Sequence, residues 1–118
     1  MVFLGGGFGS VARYWLGLRL NNFESDIPFG TLLANVLGSL IIGFIFGYSA
    51  KTGWLDENYS LLLATGFCGG FTTFSAFAYE NHLFLKNGDY FSLLPYLILT
   101  LILGFAAVFG GLYLAKIV

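Results

Sequence analysis

Four long apolar stretches, separated by short polar connectors, follow one another along the chain. A helix rises about 1.5 Å per residue, so about 20 residues cross a hydrocarbon core of about 30 Å. The stretches that reach this length are residues 1–20, 28–49, 59–85 and 92–115. The pattern predicts an all-α membrane protein: four transmembrane helices in a single domain, residues 1–118, with both chain ends on one side of the bilayer.

The connectors and the span ends agree with this division. The connectors "NNFESD", "KTGWLDEN" and "KNGDY" contain turn-forming Asn, Asp and Gly, and Pro28 suits the first turn of a helix. Amphipathic aromatic rings favour the membrane interface, and five lie toward span ends: Trp15, Tyr48, Trp54, Tyr59 and Tyr90. No basic region precedes the first apolar run and no clear cleavage site follows it, so we expect a retained first span.

Composition supports a membrane protein and narrows the function. Apolar residues make up 58% of the 118 residues and charged residues only 9%, against about 25% charged in soluble domains. Five basic and six acidic residues leave no basic patch for nucleic acid. Cys68 and His82 are single residues of their kinds, which excludes an intrachain disulfide and a cluster of such metal ligands. We therefore expect no enzyme and no nucleic-acid partner.

The basic residues near the span ends give no preferred orientation. Lys51 and Lys116 lie on the side of the chain ends, whereas Arg19 and Lys86 lie on the other side. A chain that inserts both ways is most simply assembled as an antiparallel, dual-topology homodimer. Alternatively, two basic residues on each side is a number small enough for the equality to arise by chance.

Polar residues recur at helical spacing within two spans. Thr31, Asn35 and Ser39 share one face of the second span, and Tyr96 and Thr100 share one face of the fourth. Glycines beside them indicate close helix packing. Asn35 is costly to bury unpaired, so it indicates either a polar pathway or an obligate interhelical bond. The uncharged stripes suit conduction, since a conducted ion must be able to leave.

Two ionisable residues within the spans have several interpretations. Arg13 could extend to the interface, pair with an acid such as Glu80, or hold a positive potential at a pore mouth. Glu80 is close to the end of the third span, together with Asn81 and His82. We expect Glu80 to belong to a vestibule or an interface.

The segment "GFCGGFTTFSAF" interrupts the third span with glycines and adjacent threonines. These residues disfavour a continuous helix, so a break is predicted near Gly69 to Thr73. Unwound backbone at this depth must be buried or line a cavity, and its carbonyls can bind a cation. Phe74 and Phe77 share a face after the break, where their positive ring edges could meet an anion or simply pack.

Three motifs, in order, resemble those of the Fluc (CrcB) family of fluoride channels: "GGGFGSVARY", "PFGTLLANVLGS" and "GFCGGFTTFSAF". The resemblance implies a fluoride-selective passive channel of the bacterial inner membrane, which confers resistance to fluoride. It also implies an antiparallel homodimer with two pores and a central structural sodium ion. In the family the sodium is held by backbone carbonyls, which here would belong to Gly69 and Thr72.

The resemblance also assigns the fluoride pathway, with Asn35 as the pore amide and Phe74 and Phe77 as the aromatic pair. The remaining positions are Thr31, Ser75, Tyr96 and Thr100 along the pathway, and Arg13 as the first-helix arginine. Ile102 and Gly104 stand where some relatives carry further serines, so the hydroxyl row departs from the family pattern. The alternative is a small, dual-topology, proton-coupled multidrug exporter, but such proteins need a glutamate that the first span lacks.

Overall fold

The computed structural model describes residues 1–21 and 27–118, and these ranges contain helices and no strand. The connector predicted before Pro28 falls mostly at residues 22–26, outside the described residues. In chain order the elements are α1 (Val2–Leu20), α2 (Phe29–Thr52), α3 (Glu57–Tyr59), a π-helix (Ser60–Cys68), α4 (Gly69–Phe71), α5 (Phe74–Lys86) and α6 (Tyr90–Ile117). The predicted all-α class is confirmed.

The third span consists of two half-helices. The first half-helix, residues 57–71, runs continuously through α3, the π-helix and α4. Thr72 and Thr73 are then extended, with φ/ψ of −88°/156° and −152°/120°. The second half-helix is α5, and the side chain of Thr73 caps it by accepting a hydrogen bond from the Ala76 N–H at 3.2 Å. The predicted break is confirmed.

Three of the segments are long and apolar enough to cross a membrane: Phe29–Thr52, Glu57–Lys86 and Tyr90–Ile117. α1 has 19 residues, which is about 28 Å of helix. Its glycines and two arginines lower its mean hydropathy, so α1 is less apolar than the other three segments. Of the four predicted spans, three are therefore long and apolar enough by composition. α1 nevertheless packs along the first half-helix and has the length of a span.

Glycines allow α1 and the first half-helix to approach backbone to backbone. A side chain at Gly5 would collide with the carbonyl oxygen of Leu62, and one at Gly9 with that of Phe67. From the opposite helix, a Cβ on Gly66 would lie 3.0 Å from the Cα of Gly5. Small residues promote such packing in lipid, where apolar side chains gain nothing by leaving one apolar medium for another.

α2 and α6 form the other close pair, and it depends on the glycine row predicted for packing. A Cβ on Gly43 would meet the Val108 carbonyl, and one on Gly47 would lie 2.9 Å from the Ala115 side chain. On α6, a Cβ on Gly111 would collide with the Leu40 carbonyl oxygen. The two helix pairs meet near the break, where Gly38 of α2 lies against the methyl group of Thr72.

Candidate functional site

Asn35 joins α2 to the break in the third span. Its Oδ1 accepts a hydrogen bond from the Thr73 N–H at 2.7 Å, and its Nδ2 donates to the Thr73 carbonyl at 3.1 Å. The amide therefore pairs with both polar groups of an extended residue that no helix can satisfy. Of the two interpretations of Asn35, the interhelical bond is observed, and one N–H of its amide remains for another acceptor.

Arg13 lies at the C-terminal end of the first half-helix. Its Nε donates to the Gly70 carbonyl at 3.1 Å, and the side chain is partly buried. Carbonyls at the end of a helix lack helical partners and carry partial negative charge, so a cation there is favourable. Arg13 thus lies beside the break rather than against Glu80.

Glu80 accepts hydrogen bonds from two buried hydroxyls on different helices. The Thr31 hydroxyl donates to one carboxylate oxygen and the Tyr96 hydroxyl to the other, both at 2.8 Å. Asn21 extends the network, because its Nδ2 lies 3.3 Å from Thr31 Oγ1 and its Oδ1 accepts from the Gly30 N–H at 2.6 Å. The carboxylate of Glu80, bonded to hydroxyls of two other helices, holds α2, α5 and α6 together.

The two phenylalanines of the pair have different surroundings. Their ring centroids are 5.9 Å apart with planes tilted by 53°. Phe77 is 6% exposed and also packs on Tyr96, with the ring centroids 5.2 Å apart. Phe74 is 78% exposed. One ring therefore belongs to the core of the chain, and the other is presented at its surface.

A pocket of about 390 Å³ lies on α2 and α6 at the level of the break. Of the predicted site residues it includes Asn35, Gly69, Thr72, Phe74, Phe77 and Thr100. Thr31, Tyr96, Glu80, Ser75 and Arg13 lie outside its lining. Phe77 joins the two groups, since it lines the pocket and packs on Tyr96.

Three hydroxyl residues of the lining were not among the predicted site residues: Ser39, Thr65 and Thr73, of which Thr73 was predicted only as the end of the helix break. Ser39 belongs to the stripe that begins at Thr31, so its spacing could have placed it on the site. Thr65 carries no such signal, because it lies in the π-helix and its direction depends on that geometry.

The backbone at the break fits a cation. In a continuous helix the Thr73 N–H would reach the Gly69 carbonyl, but here it donates to Asn35. Likewise the Ala76 N–H, four residues beyond Thr72, donates to the Thr73 hydroxyl. The carbonyls of Gly69 and Thr72 are thus deprived of their helical partners, and such oxygens suit Na⁺. A Cβ on Gly69 would be 3.9 Å from its nearest neighbour, so space remains there.

Comparison with known proteins identifies relatives over nearly the whole chain. Residues 1–112 match the family described as CrcB-like protein, Camphor Resistance (CrcB). A protein of Gloeothece citriformis (strain PCC 7424) named fluoride-specific ion channel FluC is 51% identical over 117 residues, 98% of this chain and 94% of its own length. Proteins of the same name are 42% identical in Azobacteroides pseudotrichonymphae genomovar. CFP2 and 44% identical in Gloeobacter violaceus (strain ATCC 29082 / PCC 7421), each over 98% of this chain and 94% of its own length.

Proposed function

Because this chain belongs to the CrcB-like protein family, we propose that it is a passive, fluoride-selective channel that exports fluoride from the cytoplasm and so reduces fluoride toxicity. The observation that carries the proposal is the pocket at the helix break, where Asn35, Thr100 and the Phe74–Phe77 pair meet. The names of the relatives support the choice of ion. They also identify ion channels rather than enzymes, and they do not favour the small multidrug exporter as an alternative.

The chemistry of the pocket suits a small, strongly hydrated anion. A pore must replace the hydration shell of the ion with donors. The free N–H of Asn35, hydroxyl groups and the positive edges of phenylalanine rings can do so without a fixed charge. No lysine or arginine lines the pocket, so fluoride can bind there and still leave.

The direction of transport follows from acid–base chemistry and the membrane potential. Fluoride enters cells as neutral hydrofluoric acid and is trapped as the anion at cytoplasmic pH. An inside-negative potential then drives the anion outward with about 2.3 kcal/mol per 100 mV. A passive channel in the bacterial inner membrane therefore suffices, without coupling to protons.

We further propose that the working unit is an antiparallel homodimer with two pores. Phe74 is 78% exposed although it belongs to the aromatic pair, so a second copy would complete the site around it. Gly69 is also exposed and has open space before it, which allows another backbone to approach. The even distribution of basic residues between the two ends supports opposite orientations of the copies.

In such a dimer the Gly69 and Thr72 carbonyls of both copies would hold a sodium ion. The ion supplies a positive charge that offsets the partial negative charges of the facing carbonyls. Asn35 maintains this arrangement by keeping the Thr73 N–H away from Gly69. The role of the ion is structural, and it is not transported.

Fluoride efflux from liposomes tests the assignment of the aromatic pair. Phe74→Ile and Phe77→Ile are each expected to slow efflux about tenfold or more, since removing an electropositive contact from a desolvated ion costs over 1 kcal/mol. Phe105→Ile is the matched control, because Phe105 is 64% exposed on α6 and does not line the pocket. A fluoride electrode measures the rates. If the variants at 74 and 77 conduct as fast as the control, the pair does not contact the ion.

A further inference from the structure

We propose that the hydroxyls of Ser39, Thr65 and Thr100 form a hydroxyl cluster that binds the partly dehydrated anion in the pocket and discriminates fluoride from chloride. This inference rests on the proposed channel function and deepens it. It assigns ion selectivity to three residues on α2, the π-helix and α6, two of which no motif singled out as site residues.

Several polar groups of the pocket already have hydrogen-bond partners within the chain. The Thr72 hydroxyl donates to the Cys68 carbonyl at 2.9 Å. The Thr73 hydroxyl accepts from the Ala76 N–H and lies 3.2 Å from the Ser75 hydroxyl. Asn35 already has two bonds to the Thr73 backbone. These groups maintain the break and leave one N–H of Asn35 for an ion, so the pocket needs further donors to replace a hydration shell.

Thr100 is the first of those donors. Its Oγ1 is buried and has no hydrogen-bond partner within the described part of the chain, and the residue lines the pocket. A buried hydroxyl without a partner destabilises the fold, because its lost hydrogen bond to water is not replaced. A hydrogen bond to an acceptor in the pocket would offset that cost. One turn further along α6, a Cβ on Gly104 would meet nothing within 4 Å, so the space beside Thr100 is open.

Ser39 and Thr65 supply the second and third donors. Serine and threonine inside a helix commonly bond the carbonyl four residues back, as Thr52 does to Tyr48 at 2.9 Å. Ser39 and Thr65 make no side-chain hydrogen bond to any other described residue. Both line the same pocket as Thr100, and their hydroxyls are available to whatever enters it.

The apolar part of the lining strengthens the interaction of an ion with these donors. Ile42, Ala64 and Leu101 line the same pocket, and apolar groups there lower the local dielectric constant. Fluoride is the smallest halide and the strongest hydrogen-bond acceptor among them, so it gains most from hydroxyls and loses most without them. Chloride is less strongly hydrated and forms weaker hydrogen bonds, so it gains less from the same hydroxyls.

Removing each hydroxyl tests the cluster: Ser→Ala leaves a hydrogen atom in its place, and Thr→Val leaves a methyl group. Ser39→Ala, Thr65→Val and Thr100→Val are each expected to lower fluoride efflux about fivefold or more, and to raise chloride efflux relative to fluoride. Thr65→Ser and Thr100→Ser keep the hydroxyl and are expected to retain most of the rate. All rates are normalised to the amount of folded protein recovered from the liposomes.

Two controls remove a hydroxyl elsewhere. The controls are Ser49→Ala and Thr52→Val. Ser49 and Thr52 belong to α2, as Ser39 does, and neither lines the pocket. Both are expected to conduct like the unmodified protein. If the cluster variants match these controls in rate and selectivity, the inference is overturned although the channel function stands. If the unmodified protein conducts no fluoride, the proposed function fails, and the cluster fails with it.

Discussion

Asn35 illustrates, at the scale of a single residue, how one side chain stabilises an irregular backbone inside a membrane. Its amide pairs with the N–H and the carbonyl of Thr73, so the break presents fewer unsatisfied groups to its apolar surroundings. The same pairing frees the Gly69 carbonyl from its helical partner. Asn35, which the resemblance assigns as the pore amide, therefore also maintains the helix break that lines the pocket.

Replacing the Asn35 amide by an apolar side chain of similar size is expected to destabilise the fold. Asn35→Leu leaves the Thr73 N–H without an acceptor, which costs about 1–3 kcal/mol. Asn58→Leu is the control, because Asn58 is an exposed residue of α3. Thermal unfolding in detergent measures the difference. An equal melting temperature for the two variants would contradict the account of Asn35.

At this scale the sequence indicates the polar face of a helix, but not the partners of the residues on it. The spacing from Thr31 to Asn35 indicated one polar face of α2, and the contacts of both residues agree with it. Arg13 could not be assigned, because its partner is a backbone carbonyl, that of Gly70, 57 positions away in the chain. A carbonyl has no residue identity that a sequence pattern could reveal.

At the scale of the elements, the glycines determine which helices approach each other. Gly5 and Gly9 of α1 meet backbone atoms of the first half-helix, whereas Gly7 faces open space. The break at Thr72–Thr73 was predictable, since glycine and adjacent β-branched residues oppose a helix. The π-helix at Ser60–Cys68 was not, because its apolar sequence fits an α-helix equally well.

Alanine substitutions in α1 should separate packing glycines from the others. Gly5→Ala and Gly9→Ala place a methyl group against carbonyls of Leu62 and Phe67 and should destabilise the protein by about 1–3 kcal/mol. Gly7→Ala is the control and should be neutral or stabilising by up to about 1 kcal/mol, because alanine favours a helix. Unfolding in detergent measures the three variants. The packing account fails if all three behave alike.

At the scale of the whole molecule, the chain leaves much of its apolar surface uncovered. Only 11% of the apolar window of α6 is buried within the chain, against 39% for α2. Lipid and a second copy can both cover this surface, so the fold of one chain does not determine its partner. The proposal of an antiparallel dimer therefore depends on the exposed Phe74 and Gly69 and on the balance of basic residues.

Removing the basic residues from one end should abolish the proposed dual topology. In the double variant Lys51→Gln, Lys116→Gln, the basic residues that remain near span ends are Arg19 and Lys86, on the side opposite the chain ends. Most copies should then insert with the Arg19 and Lys86 side in the cytoplasm. The control is Glu57→Gln, since acidic residues contribute little to orientation. Labelling of a cysteine at the exposed Asn58 position from each side of the membrane measures the ratio. The ratio should move from about even to one-sided, and fluoride efflux per copy should fall with it. A ratio that stays even would contradict the proposed origin of the dual topology.

The central claim is that this chain conducts fluoride passively and excludes chloride. The most direct measurement compares fluoride and chloride efflux, with ion-selective electrodes, from liposomes that contain the purified protein, first without a pH gradient and then with one imposed. The account predicts rapid fluoride efflux once the membrane potential is released, negligible chloride efflux, and no dependence on an imposed pH gradient. Equal efflux of both ions, no efflux of either, or fluoride efflux only with a proton gradient would contradict it.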